Sequence, residues 1–158
     1  MKVALRSSLG FGFASGVVTT LGLMMGLAFG THSESVVIGG IITIAIADAL
    51  SDALGMHISK ETGFIRSVKE VWESTFYTFL SKLLTALSFV IPLLLFDLSL
   101  AIWVNIAWGA VILIVLSVVI ARYHKFNIWH VVLEHLAVAS VVVVASYFVG
   151  EWISRIFQ

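Results

Sequence analysis

Two aspartates, Asp48 and Asp52, lie four residues apart inside an otherwise apolar stretch of the chain, 36–58. Residues at this spacing in a helix are separated by about 40° around the axis and about 6 Å along it, so both carboxylates are expected to face one way. A carboxylate inside a membrane is costly unless it has a partner or a function. Met56 and His57 follow on the same stretch. Oxygen, sulfur and imidazole along one helix indicate the lining of a cation path.

The composition indicates an integral membrane protein. Of the 158 residues, 60% are hydrophobic and 11% are charged, whereas a soluble domain is about half apolar and about a quarter charged. Nine basic and nine acidic residues balance, so no nucleic-acid partner is expected. The chain has no cysteine, which excludes disulfides and thiolate metal sites. No phosphate loop, nucleophile–base set or HExxH motif occurs, and we therefore predict that the protein is not an enzyme.

The apolar stretches predict an all-α polytopic membrane protein, a single domain over 1–158. Five stretches reach the length of about 20 residues that a transmembrane helix needs. They are 9–30, 36–58, 75–96, 98–121 and 128–150. The charged connection 60–73 has apolar residues at helical spacing and is expected to be an amphipathic cytoplasmic segment.

The basic residues predict the orientation. Cytoplasmic loops of membrane proteins are enriched in lysine and arginine, and an N-inside, C-outside topology leaves only Arg155 on the outer side. The first span is expected to be retained, because its apolar run is too long for a signal peptide. The host membrane would be the inner or plasma membrane of a prokaryote, or a vacuolar or other organelle membrane of a eukaryote.

Rows of small residues in the first two spans predict close helix packing. In lipid, such rows let helix backbones approach closely, and we expect spans one and two to form the tight core of the assembly. Asn105, in the fourth span, is expected to bond another helix. The rows at four-residue spacing are Gly12 and Gly16, then Gly22, Gly26 and Gly30, and in the second span Ala45, Ala49 and Ala53.

Lys82, in the third span, offers a structural alternative to a cation path. It lies at a depth similar to that of Asp52 and could form a buried ion pair with Asp48 or Asp52, or extend to the interface. One lysine cannot neutralise two carboxylates, which favours transport. Gly55 and Ser59 lie on the acidic side of the same helix, where a cation could approach without obstruction by bulky side chains.

A second, weaker pattern lies in the fifth span, where His130 and Glu134 are one helical turn apart and His135 follows. A His–Glu pair at this spacing can relay protons or contribute nitrogen and oxygen ligands to a divalent metal. His130 is alternatively an interfacial residue, since it lies near the predicted cytoplasmic end of the span.

Four segments together resemble the vacuolar iron transporter family. The first-span sequence GFASGVVTTLGLMMGL and the second-span sequence ADALSDALGMHISKET resemble the family's opening two spans, with Ser51, Gly55 and Ser59 at matching positions. The segment FVIPLLLF is similar to a proline-containing stretch of the family's third span, and SYFVG is similar to the end of its fifth.

The resemblance implies a homodimer whose first and second spans line an ion path near the two-fold axis. Ferrous or manganous ions would leave the cytosol through it in exchange for protons. The chain departs from the family pattern at three ligand positions. Ser15 stands where the family has an acidic residue in the first span, Asp52 where it has a methionine, and Met56 where it has a glutamate. The family's cytoplasmic metal-binding insertion is reduced to the connection 60–73.

The first hypothesis is therefore an Fe²⁺ or Mn²⁺ transporter, a proton-coupled homodimer with no permanently bound cofactor and no soluble partner. Like-charged acids crowded at a two-fold axis are expected to release protons when a metal binds. The expected metal ligands are Asp48, Asp52, Met56, Glu134 and His130; Asp48, Asp52 and Glu134 would couple to protons, and Ser15, Thr19, Gly55 and Ser59 would line the path.

Two other hypotheses stay open. One is a haem-binding or scaffold membrane protein in which His57 and His130 are axial ligands between the second and fifth spans. The other is a transporter of a different cation that uses the same acids. The transport hypotheses require the carboxylates to face an aqueous or metal-filled space shared by neighbouring protomers. They fail if Lys82 or other cationic side chains cap both acids and no cavity lies beside them.

Overall fold

A computed structural model describes residues 3–63 and 67–157, and over these residues it is all-helical without strands. Five of its helical units are long and apolar enough to cross a membrane, as the apolar stretches predict, with α3 and α4 forming one unit. The helices are α1 (Val3–Thr31), α2 (Glu34–Glu61), α3 (Val68–Ser88), α4 (Val90–Leu95), α5 (Leu98–His124) and α6 (Ile128–Phe157).

The connection between α2 and α3 is shorter than the sequence pattern indicates. The charged region 60–73 is shared between the last residues of α2 and the first turns of α3, which begins at Val68. The apolar residues Val68, Val71 and Trp72 continue the helical spacing of the third span, and the backbone is helical from Val68 onward. Residues 64–66, which belong to the predicted amphipathic segment, lie outside the described residues.

The third span is interrupted at Phe89, between α3 and α4. Pro92 has no backbone N–H, so the carbonyl oxygen four residues earlier loses its usual helical donor and the helix is disrupted there. Asn105 of α5 donates a hydrogen bond from Nδ2 to the Phe89 carbonyl oxygen at 3.0 Å. The expectation that Asn105 bonds another helix is confirmed, and its partner is the backbone at this break.

The first helix lies at the centre of the bundle, where it packs against α2, α3, α5 and α6. Its glycines allow close approach, as predicted, but mainly to α3 and α6 rather than to α2. A Cβ atom on Gly16 would lie 3.0 Å from Thr85 Cβ of α3, and one on Gly22 would lie 2.8 Å from Val142 Cγ1 of α6. Within one chain, the glycine rows of span one therefore contact α3 and α6. The expectation that spans one and two form the tight core of the assembly stays a prediction.

The second helix divides its surface between the bundle and the outside. Its alanine row, Ala45, Ala49 and Ala53, is buried. On the other side, six small residues at four-residue spacing are exposed, and a Cβ atom on Gly39 or Gly55 would meet no atom within 4 Å. We call these six the outer small row of α2: Gly39, Thr43, Ala47, Ser51, Gly55 and Ser59.

Candidate cation site

Polar side chains of three helices meet at one point in the bundle, and those of α2 and α3 are charged. The Lys82 ammonium of α3 lies 2.5 Å from Asp48 Oδ2 of α2 and also forms an ion pair with Asp52 Oδ2. The prediction that the two carboxylates face one way is confirmed, because one nitrogen atom reaches both. The buried ion pair that the structural alternative expects is therefore present, and it includes both aspartates rather than one. Lys82 is buried and does not extend to the interface.

Ser15 of α1 completes the cluster. Its hydroxyl donates a hydrogen bond to Asp52 Oδ2 at 2.7 Å and accepts one from Lys82 Nζ at 2.9 Å. Ser15 lies about three turns into α1, Asp52 about two and a half turns before the end of α2 and Lys82 about four turns into α3. Since consecutive helices run in opposite directions, these positions lie at similar depth. We call Ser15, Asp48, Asp52 and Lys82 the carboxylate cluster.

The cluster is electrostatically unbalanced. Lys82 is the one charged side chain among the fully buried residues that the structure describes, with 1% of its surface exposed. A buried charge is stabilised only when opposite charge and hydrogen bonds replace water, and the two aspartates and Ser15 supply both. With Asp48 and Asp52 ionised, the cluster has two negative charges and one positive charge. One negative charge therefore remains in excess.

The excess charge is accessible from outside the chain. The side chains of Asp48 and Asp52 are 23% and 21% exposed, respectively. They lie on the α2 face beside Ala47 and Ser51, which belong to the outer small row. Because this row has no bulky side chains, it leaves the approach to the carboxylates open in a single chain.

Two cavities lie elsewhere in the bundle. One, of about 350 Å³, is lined by apolar groups of α1, α5 and α6, including Met25, Trp103 and Tyr147. The other, of about 240 Å³, lies beside His57 and Trp72 at the end of α2. The residues of the carboxylate cluster do not line either of these two cavities.

The expected path-lining residues lie near the cluster on the same two helices. Thr19 of α1 is half-buried, and its hydroxyl donates to the Ser15 carbonyl oxygen of its own helix at 2.9 Å. Gly55 and Ser59 are exposed members of the outer small row, and Met56 is half-buried one turn after Asp52. Gly55, Met56 and Ser59 continue from the cluster toward the Glu61 end of α2. Thr19 lies one turn beyond Ser15 toward the opposite end of the bundle, because α1 and α2 are antiparallel.

The structure does not bring the His–Glu pattern of α6 to the cluster. His130 and Glu134 are exposed on α6, which packs against α1 and α5, whereas the aspartates are on α2. His135 is half-buried and its Nδ1 lies 2.7 Å from Ser117 Oγ of α5. The fifth-span residues are therefore separate from the carboxylate cluster.

His57 is held by neighbours at the end of α2. Its Nδ1 lies 3.0 Å from Thr75 Oγ1 and its Nε2 lies 3.3 Å from Glu61 Oε1. The ring also packs edge-to-face on Trp72, with the ring centroids 4.8 Å apart. In the alternative with haem, His57 would pair with His130, which is on a helix on the other side of α1.

Among residues 3–63 and 67–157, no group of three or more histidine, aspartate and glutamate side chains is arranged to hold a metal ion. The chain matches no protein-family model and no curated protein. The resemblance to vacuolar iron transporters thus stays a prediction.

Lys82 is the residue of the cluster that sequence reasoning did not include among the site residues. The signal that identifies it is a single lysine within an apolar span, at the depth of the acids on the preceding span. Ser15 was expected to line a path, but its hydrogen bonds with Asp52 and Lys82 were not predicted. Such bonds depend on how α1, α2 and α3 pack, which residue spacing alone does not give.

Proposed function

We propose that this protein is a membrane transporter of divalent transition metal ions, Fe²⁺ or Mn²⁺, in which Asp48 and Asp52 bind the ion. The observation that carries the proposal is that two carboxylates on the partly exposed face of α2 share the single ammonium group of Lys82. A structural ion pair needs one carboxylate for one lysine. A second carboxylate inside a membrane is expected where a cation binds.

We further propose that the protein works as a homodimer, N-terminus inside, with α2 and the adjoining side of α1 at the two-fold axis. The outer small row supports this arrangement, because small residues in register are typical of close helix contacts in lipid. Two copies related in this way would place four carboxylates around one space. The half-buried side chains of Ser15 and Thr19 would line that space from α1.

The same arrangement supports proton coupling. Metal binding to crowded carboxylates displaces protons, which gives exchange of metal ions for protons a physical basis. Export from the cytosol is the direction that the resemblance to vacuolar iron transporters implies. Met56 would add a soft ligand that favours iron-group ions over Mg²⁺. Glu134 and His130 would be a secondary proton or metal site at the start of α6, apart from the main one.

The test is Mn²⁺ uptake into proteoliposomes by the full chain. The Asp48→Asn, Asp52→Asn double variant is expected to lose uptake, while Glu34→Gln, a control at the exposed start of α2, keeps it. Glu134→Gln should lower uptake less than Asp48→Asn does. Uptake that persists in a folded double variant would show that these acids are not the ligands.

A panel of ions identifies the substrate. Fe²⁺, Mn²⁺, Zn²⁺, Mg²⁺ and Ca²⁺ are compared by the increase in melting temperature that each causes, because a ligand that binds the native state stabilises it. Stabilisation by Fe²⁺ and Mn²⁺ above Mg²⁺ and Ca²⁺ is the expected result. Equal stabilisation by all five ions contradicts the assignment to transition metals.

A further inference from the structure

The Lys82 ammonium occupies the place where a cation would bind in the carboxylate cluster. It contacts Asp48 Oδ2 at 2.5 Å, Asp52 Oδ2, and Ser15 Oγ at 2.9 Å. The contacts with Asp52 and Ser15 are hydrogen bonds, and the contact with Asp48 is an ion pair without hydrogen-bond geometry. The cluster of a single chain is thus already filled by a positive charge that is covalently attached to α3.

The two carboxylates are not held equally. Asp52 Oδ2 accepts hydrogen bonds from both Ser15 and Lys82. Asp48 Oδ2 has the ion pair with Lys82 but no hydrogen bond of normal geometry, although the atom is buried. A hydrogen bond to a charged group is stronger than one between neutral groups, so Lys82 is anchored at Asp52 and Ser15. Lys82 can therefore release the Asp48 carboxylate more easily than it can release Asp52.

We propose that Lys82 is a tethered competitor of the transported ion, which binds by displacing the ammonium group from Asp48 while Lys82 stays on Asp52 and Ser15. This inference rests on the proposed transport function. The repulsion between Lys82 and a divalent ion weakens binding, and a transported ion must be bound weakly enough to leave. A neutral side chain at position 82 removes that repulsion.

The competitor role predicts a gain of affinity, which a purely structural role does not. Mn²⁺ binding to the full chain in detergent is measured from the paramagnetic resonance signal of the free ion. Lys82→Gln and Lys82→Met are expected to lower the Kd by about tenfold or more, since a unit charge a few Å from the ion is removed in a medium of reduced dielectric constant. Lys82→Arg keeps the charge and should bind as weakly as the original chain.

A matched control is Lys69→Gln, which removes an exposed lysine of α3 that pairs with Glu73 3.8 Å away. It is expected to leave the Kd unchanged. A folded neutral variant at position 82 whose Kd is equal to or higher than that of the original chain overturns the competitor role. So does an arginine variant that binds as tightly as the neutral ones.

A second measurement does not need a neutral residue at position 82. Because Lys82 is anchored at Asp52 and Ser15, Asp48→Asn should leave the melting temperature nearly unchanged, whereas Asp52→Asn should lower it. Equal losses in the two variants contradict the anchoring.

The same titration separates the two proposals. If the original chain and all variants bind no Mn²⁺, the proposed transport function and the competitor role both fail. If the original chain binds Mn²⁺ through Asp48 and the neutral variants bind no more tightly, the competitor role alone fails.

Discussion

A methyl group on Gly12 of α1 would lie 2.8 Å from the backbone carbonyl oxygen of Thr78 of α3, and it would also overlap Ser81 Oγ. The two helix backbones are therefore in direct contact at this level. Lys82 follows Thr78 by one turn on α3, and Ser15 follows Gly12 by nearly one turn on α1. The close approach at Gly12 thus fixes the distance across which Ser15 and Lys82 meet.

Gly12→Ala is expected to destabilise the protein by about 1–3 kcal/mol, because the added methyl group overpacks the α1–α3 contact. Thermal unfolding in detergent measures this loss. Gly10→Ala is the matched control: it adds the same atom on the same helix, where the nearest atom is Leu116 Cδ1 at 3.9 Å, an ordinary van der Waals contact. A melting temperature that falls equally in both variants would contradict the packing described for Gly12.

Asn105→Leu is expected to lower the free energy of unfolding by about 0.5–1.5 kcal/mol, because the Phe89 carbonyl at the start of α4 loses the hydrogen bond from the Asn105 side chain. Asn105 is fully buried, and Nδ2 also lies 3.4 Å from Met24 Sδ. Thr43→Ala serves as control, since Thr43 is exposed and bonds only the Gly39 carbonyl of its own helix. Unchanged unfolding of Asn105→Leu would show that the break at Phe89 does not depend on this bond.

Gly55→Leu is expected to convert the proposed dimer into monomers. The leucine projects into open space in a single chain, so the fold should be retained, whereas it would separate two copies packed at the outer small row of α2. Light scattering during size-exclusion chromatography gives the mass of the protein in each complex. Val138→Leu, at an exposed position of α6, should leave the mass unchanged. If both variants stay dimeric, α2 is not the interface.

Ser15→Ala is expected to destabilise the carboxylate cluster by about 1.5–3 kcal/mol, the usual contribution of a hydrogen bond to a charged group. The variant should show both a lower melting temperature and less Mn²⁺ uptake. Thr19→Ala removes a hydroxyl that bonds its own helix and should have a smaller effect. A larger effect at Thr19 than at Ser15 would be inconsistent with the geometry of the cluster.

The sequence was sufficient to predict the helical spans and the common face of Asp48 and Asp52. Both follow from local properties, the length of apolar runs and the angle between residues four apart. The interruption at Phe89 was not predicted, although Pro92 is the single proline of the chain. Neighbouring helices often accommodate a proline inside a membrane helix. The effect of Pro92 therefore depends on the position of Asn105, whose side chain bonds the Phe89 carbonyl oxygen at the interruption.

The partners of the glycines and of Lys82 could not be predicted, because they depend on the arrangement of the helices. A four-residue glycine row shows that some helix approaches closely but not which one. Lys82 was correctly placed at the depth of Asp52, since depth follows from position along the span. Its simultaneous contact with Asp48, Asp52 and Ser15 depends on how α1, α2 and α3 pack together, which residue spacing does not give.

The central position of α1 has a consequence for biogenesis. This helix is synthesised before the four helices that surround it, and its glycine faces meet lipid until α3 and α6 have been inserted. A Cβ atom on Gly150 of α6 would lie 2.7 Å from the Gly26 carbonyl oxygen, so the bundle closes around α1 only when its final helix has entered the bilayer. Until then, the glycine faces of α1 lack the close contacts that α3 and α6 provide.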